Sequence, residues 1–246
     1  MKDLYTVPNL ISISRLVMAI PASWLLLRGD AVSLVVAIVL LNYLELTDAT
    51  DGYIARKWKQ VSEVGKLLDP LLDSLCRFTI FATLLSMGVL PLWMLLVFFY
   101  RDVSISYYRA FAAQRNVTMA ARVSGKVKAV VQGVGVILVC IVMLSESLGQ
   151  GAKPMSDALF YGIFGGGAAL LVIYLLAFRI WGAVVGTISA VGGGTVLVAG
   201  VLWFLDLPVP YAPQVIWGLL FAVTMVTLWS LWDYTVGFLD VLRKDT

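Results

Sequence analysis

Four aspartates, Asp48, Asp51, Asp69 and Asp73, fall within one stretch, residues 46–77, LTDATDGYIARKWKQVSEVGKLLDPLLDSLCR. Asp48 and Asp51 are three residues apart, Asp51 and Ala55 four, and Gly65, Asp69 and Asp73 step by four. On helices, each set lies along one face. An antiparallel hairpin of two such helices would bring the acidic faces together at its short loop. Four carboxylates do not share a small volume fully ionised, because each disfavours the charged form of the others. Aspartate inside a bilayer costs up to about 2.5–3.5 kcal/mol at a helix centre. A divalent cation supplies the missing charge directly. Oxygen donors without imidazole or thiolate favour Mg²⁺, Mn²⁺ or Ca²⁺ over zinc. Four carboxylates suit a pair of ions, the arrangement that serves phosphoryl transfer. Gly52, Ala55 and Gly65 on or beside the acidic faces would let a bulky ligand approach the backbone, and Arg56 and Lys66 could meet phosphate oxygens. The plain alternative is an interfacial ion-pair network of the aspartates with Arg56, Lys66 and Arg77.

The elements that must position these groups are membrane helices. The chain has 246 residues, of which 61% are hydrophobic and 13% charged, against about 25% charged in a soluble domain. Such a surface faces lipid. There is no histidine, which excludes Ser-His-Asp triads, imidazole acid–base catalysis and His-ligated zinc. Cys76 and Cys140 stand in separate apolar segments and read as small buried residues. Residues 1–9 lack the pattern of a signal or transit peptide and read as a short cytoplasmic lead-in.

Eight apolar segments are expected, near 9–28, 31–50, 65–88, 91–113, 124–145, 157–179, 182–205 and 213–238, each close to the roughly 20 residues a membrane helix needs. With a cytoplasmic N-terminus, all of the 18 Lys and Arg except Arg28 and Lys153 fall on or near the cytoplasmic side. This is the positive-inside pattern, and it places both termini on that side. Glycines at 165–167, 182, 186 and 192–194 read as close helix packing.

The run Asp48-x2-Asp51-Gly52-x2-Ala55-Arg56-x8-Gly65-x3-Asp69-x3-Asp73 matches, position for position, the signature of the CDP-alcohol phosphotransferase family, and the chain resembles that family on these residues. The opening VPNLISISR, the central Arg101-Asp102, Arg109, Gly125-Lys126-Val127-Lys128 and Gln132, and the final span through Tyr234 are similar to its bacterial phosphatidylglycerophosphate synthase branch. Asp102 stands where glutamate is usual there, Ala129 where threonine is usual, and Ser74 where lysine is frequent. The resemblance implies an all-α polytopic membrane bundle with a six-helix core from 1–145 and 213–238; residues 146–212 have no counterpart in it and read as an inserted helical hairpin, all within one transmembrane domain over 1–246. It implies a homodimer in the bacterial inner membrane with a cytoplasmic active site and no nucleic-acid partner. Asp48, Asp51, Asp69 and Asp73 would hold two ions, Mg²⁺ or Mn²⁺, with Asp73 also the base toward the acceptor. Gly52, Ala55, Arg56 and Gly65 would lie along the nucleotide and pyrophosphate.

The implied activity moves a phosphatidyl group from CDP-diacylglycerol to the hydroxyl of glycerol 3-phosphate, releasing CMP. The density of Arg and Lys near the site suits a phosphorylated acceptor, with Arg109, Lys126 and Lys128 as the expected phosphate contacts. The same chemistry with inositol phosphate, inositol or serine is the first alternative. A cation transporter using intramembrane carboxylates and a non-catalytic scaffold are more distant ones.

Overall fold

The computed structural model describes residues 6–58, 63–115, 117, 119, 122–149 and 212–243, and of 49–56, 63, 64, 66, 67 and 149 the backbone alone. Among these residues the structure is all helical: α1 (Val7–Arg28), α2 (Ala31–Lys57), α3 (Glu63–Ser86), α4 (Leu92–Gln114), α5 (Val123–Gly149) and α6 (Ala212–Arg243). Six of the eight expected segments correspond to these helices. The other two, near 157–179 and 182–205, and most of the expected hairpin at 146–212 lie outside the described residues.

Four of the helices are long and apolar enough to cross a membrane: Val7–Arg28, Ala31–Asp48, Val123–Leu148 and Ala212–Arg243. The other two, α3 and α4, have similar length but carry Asp69, Asp73 and Arg77, or Arg101, Asp102 and Arg109. Large apolar side chains such as Ile20, Trp24, Leu27, Trp217 and Trp232 stand exposed around the bundle. In water this would be an aggregating surface, whereas against acyl chains it is the expected one. The chain is an integral membrane protein with several spanning helices.

Two turns punctuate the chain where glycine takes positive φ. Gly29 (φ 67) closes α1, its N–H bonded to the Leu26 carbonyl, and Gly88 (φ 73) does the same between α3 and α4. Residues with a Cβ are disfavoured there. Asp30 then starts α2, its carboxylate accepting from the Ser33 N–H at 3.0 Å and the Ser33 hydroxyl at 2.7 Å. These bonds, the hydroxyl one first, hold the Asp30 carboxyl below its usual value.

The helices pack as a closed ring. α1 lies on α2 and α3, α2 on α5, α5 on α6, α6 on α4, and α4 on α3. Along the helices the interior divides in two. Buried apolar side chains come from the C-terminal halves of α1, α3 and α5 and the N-terminal halves of α2, α4 and α6: Leu26, Leu34, Leu84, Met94, Leu144 and Leu220 among them. The opposite halves meet through polar groups. One end of the bundle is thus an apolar plug, and the other is polar.

Candidate active site

The polar end begins with α1. Its buried face runs Asn9, Ser12, Arg15, Ala19, Ala22 and on to Leu26, a helical repeat whose first turns are polar. Ser12 Oγ donates to Asp69 Oδ1 on α3 at 2.9 Å. Arg15, only 2% exposed, donates from Nη1 to Asp48 Oδ1 on α2. From α3, Arg77 reaches three carboxylates at once. Its Nε donates to Asp73 Oδ1 at 2.9 Å, its Nη1 stands 3.5 Å from Glu45 Oε1, and its Nη2 stands 3.7 Å from Asp48 Oδ2. Nη1 also donates to the Ala129 carbonyl of α5 at 3.2 Å.

Arg15, Glu45, Asp48, Asp73 and Arg77 wall a cavity of about 40 Å³, lined also by Leu41, Ile80, Val136 and Gln132. The side chain of Arg77 is 9% exposed, while Asp48 and Asp73 keep 35% and 32% of their side chains open. The positive groups are therefore sunk in the wall and the carboxylates face the opening. Removing one partner from such a buried network leaves a charge uncompensated, at about 3–5 kcal/mol.

A second polar cluster joins α4, α5 and α6. Asp102 accepts from Lys128 Nζ at 3.0 Å and from its neighbour Arg101 at 2.9 Å. Arg101 also donates to Ser230 at 2.8 Å. Two guanidinium groups stand over the Tyr234 ring, Arg101 at 5.6 Å and Arg109 at 5.5 Å from its centroid, a cation–π arrangement. The Tyr234 hydroxyl accepts from Arg109 Nη2 at 3.1 Å and from the Arg122 N–H at 3.0 Å. Gly125 leaves the space this needs, since a Cβ there would stand 2.8 Å from the Tyr234 hydroxyl. Arg122 and Ser124 both bond Asp233, which pins the start of α5 to α6.

The structure brings Asp48 and Asp73 to one cavity. It places Asp69 one turn before Asp73 on α3, bonded to Ser12, and Gly65 buried further toward the start of that helix. The side chains of Asp51, Ala55, Arg56 and Lys66, and Gly52 beside them, lie outside the described set. Among the described residues no three acidic, Cys or His side chains are grouped closely enough to hold a metal ion. Arg109 and Lys126 are exposed, and Lys128 is buried against Asp102. The ion-pair alternative is partly present: Arg77 does bind Asp73 and Asp48, and Arg15 joins them.

Sequence reasoning counted Arg15 as a topology charge and as the end of the opening motif, named Tyr234 only as the end of the final span, and did not single out Glu45. A signal for Arg15 was available, since Asn9, Ser12 and Arg15 recur every three residues on one face. Glu45 likewise precedes Asp48 by three. Nothing local marked Tyr234, whose partners stand more than a hundred positions away.

A family model described as CDP-alcohol phosphatidyltransferase matches residues 5–164. The chain is similar to a Mycoplasma genitalium protein called CDP-diacylglycerol--glycerol-3-phosphate 3-phosphatidyltransferase, 32% identical over 160 residues, covering 63% of this chain and 65% of that one. A Bacillus subtilis protein of the same name is 31% identical over 137 residues, covering 51% and 71%. A Streptomyces coelicolor protein called cardiolipin synthase (CMP-forming) is 36% identical over 103 residues, covering 41% and 48%. The chain thus spans just under two thirds of the first relative's length and about half of the last.

Proposed function

The chain belongs to the CDP-alcohol phosphatidyltransferase family, and we propose that it transfers a phosphatidyl group from CDP-diacylglycerol to the hydroxyl of glycerol 3-phosphate, releasing CMP. The observation that carries this reading is the approach of Asp48 and Asp73 from two helices to one cavity, within a fully spaced set of four aspartates. The names of the Mycoplasma and Bacillus relatives support the donor and acceptor.

Members of the family use divalent cations. The donor set suits Mg²⁺ or Mn²⁺: carboxylate oxygens open to a cavity, in a chain without histidine. Asp48, Asp51, Asp69 and Asp73 would hold two such ions. When bound, they supply charge neutralisation of the pyrophosphate and the leaving phosphate. The protein's own groups do the rest. Asp73 Oδ1 is held by Arg77 Nε, which leaves Oδ2 to take the acceptor's proton. As it does so, the acceptor oxygen bonds to the lipid-side phosphorus and the bond from that phosphorus to CMP breaks. An aspartate is a weak base, so it acts here as a positioned proton acceptor in the transition state. Gly52, Ala55, Arg56 and Gly65 lie along the nucleotide in this reading. Arg109 and Lys126 offer exposed cations to the acceptor phosphate, and Lys128 fixes Asp102 beside them.

The active site faces the cytoplasm of a bacterial inner membrane, and two copies of the chain form the working unit. The basic residues at the polar end support this orientation. The Streptomyces relative favours one second reading, the same transfer to a different alcohol that yields cardiolipin. Purified protein given CDP-diacylglycerol, Mg²⁺ or Mn²⁺ and each candidate acceptor in turn decides between them. CMP release with glycerol 3-phosphate is expected. Silence with that acceptor and turnover with another would transfer the conclusion to the second.

A further inference from the structure

Glu45 belongs to none of the four signature aspartates, yet its carboxylate sits in the same cavity wall. It occupies space that exists only because position 133 of α5 is glycine: a Cβ on Gly133 would collide with the Glu45 carboxyl group. Its partner is Arg77 Nη1 at 3.5 Å, the same nitrogen that donates to the Ala129 carbonyl. Arg77 Nη2 stands 3.7 Å from Asp48 Oδ2, so the contacts with Glu45 and Asp48 are both ion pairs beyond hydrogen-bond length. The guanidinium is thus shared between Glu45 and the open aspartates, and it engages those aspartates at hydrogen-bond range through Nε alone.

A planar guanidinium has a strong preference for binding carboxylates through two N–H groups. Without Glu45 as a competitor, Arg77 would be free to close its ion pair with Asp48 to a hydrogen bond and occupy oxygens that a cation needs. We propose that Glu45 and Gly133 form a positioning device for the acidic site. Glu45, seated in the space Gly133 leaves, competes with Asp48 for the arms of Arg77 and so keeps outer oxygens of Asp48 and Asp73 available to a divalent cation. Glu45 is a positioning residue and touches no substrate. The inference rests on the metal-dependent reading above and adds the residues that set the cation affinity.

The test compares Glu45→Gln and Gly133→Ala with the wild type in two titrations with Mg²⁺. The first follows the thermal unfolding midpoint of purified protein in detergent without substrate, and the second follows CMP release. In both, Glu45→Gln is expected to raise the half-saturating Mg²⁺ on the order of threefold to tenfold, with a smaller change in turnover at saturating Mg²⁺. Gly133→Ala removes no charge and displaces Glu45, and is expected to shift the titration in the same direction. Wild-type response with no shift in either variant overturns the positioning role. A shift in only one of the two also overturns it, since Glu45→Gln alone would report charge count and Gly133→Ala alone a packing defect. A wild type insensitive to Mg²⁺ in both titrations sinks the metal-dependent reading itself, and the inference with it.

Discussion

The two polar clusters at one end of the bundle are mirror images in charge. Around α1, α2 and α3, the carboxylates Glu45, Asp48, Asp69 and Asp73 face two arginines, Arg15 and Arg77. Around α4, α5 and α6, Arg101, Arg109, Arg122 and Lys128 face two aspartates, Asp102 and Asp233. Among the described residues the first cluster is short of positive charge and the second short of negative charge. A buried or half-buried imbalance is costly unless a ligand completes it, so the surplus states what kind of ligand fits: a cation for the first, an anion such as phosphate for the second. The two adjoin on α5, where Arg77 meets the Ala129 carbonyl and Lys128 is the neighbouring residue. The proposed transfer to a phosphorylated acceptor would need that adjacency.

The sharpest attack on this contrast is Asp73→Asn. If the acidic cluster holds the proton acceptor, CMP release falls by about a thousandfold, within the range that general-base groups contribute. Turnover at the wild-type rate would reduce the cluster to structure. Next is the buried pair of the basic cluster. Asp102→Asn leaves Lys128 with its charge uncompensated, and a destabilisation of about 3–5 kcal/mol is expected in detergent unfolding. Apolar replacement of both residues should recover most of it. A stable single variant would mean that Lys128 is free to serve the ligand directly.

Arg109→Ala sharpens the assignment of the second cluster. Loss of a charge-assisted contact is worth about 1.5–3 kcal/mol, so the KM for glycerol 3-phosphate should rise by about tenfold or more while that for CDP-diacylglycerol moves less. A rise confined to the lipid donor would put the donor's phosphates on the basic side instead.

Asp30, outside both clusters, supplies the smallest effect and the control. Asp30→Ala removes the bonds to Ser33 at the start of α2, costing about 1 kcal/mol with turnover intact. The folded carboxyl titrates below its ordinary value of 3.8. The stability it adds is therefore full above that value and is lost as pH falls through the lowered one. The wild type and the Asp30→Ala variant should converge in stability on acidification.

What the sequence determined by itself is local. Apolar runs of membrane length define helices, because in lipid the backbone must satisfy its own hydrogen bonds. The three- and four-residue steps of Asp48, Asp51, Gly65, Asp69 and Asp73 fix which carboxylates share a face, since the helical repeat is set by the backbone. Asp73 and Arg77, four apart, were legible as a pair for the same reason. The tertiary structure alone decided the partnerships across helices. Asp48 meets Arg15 of α1, Glu45 fits against Gly133 of α5, and Tyr234 of α6 gathers Arg109 and Arg122. Each depends on how two helices rotate and slide against one another when their apolar ends pack. No spacing within a single helix encodes that rotation or depth.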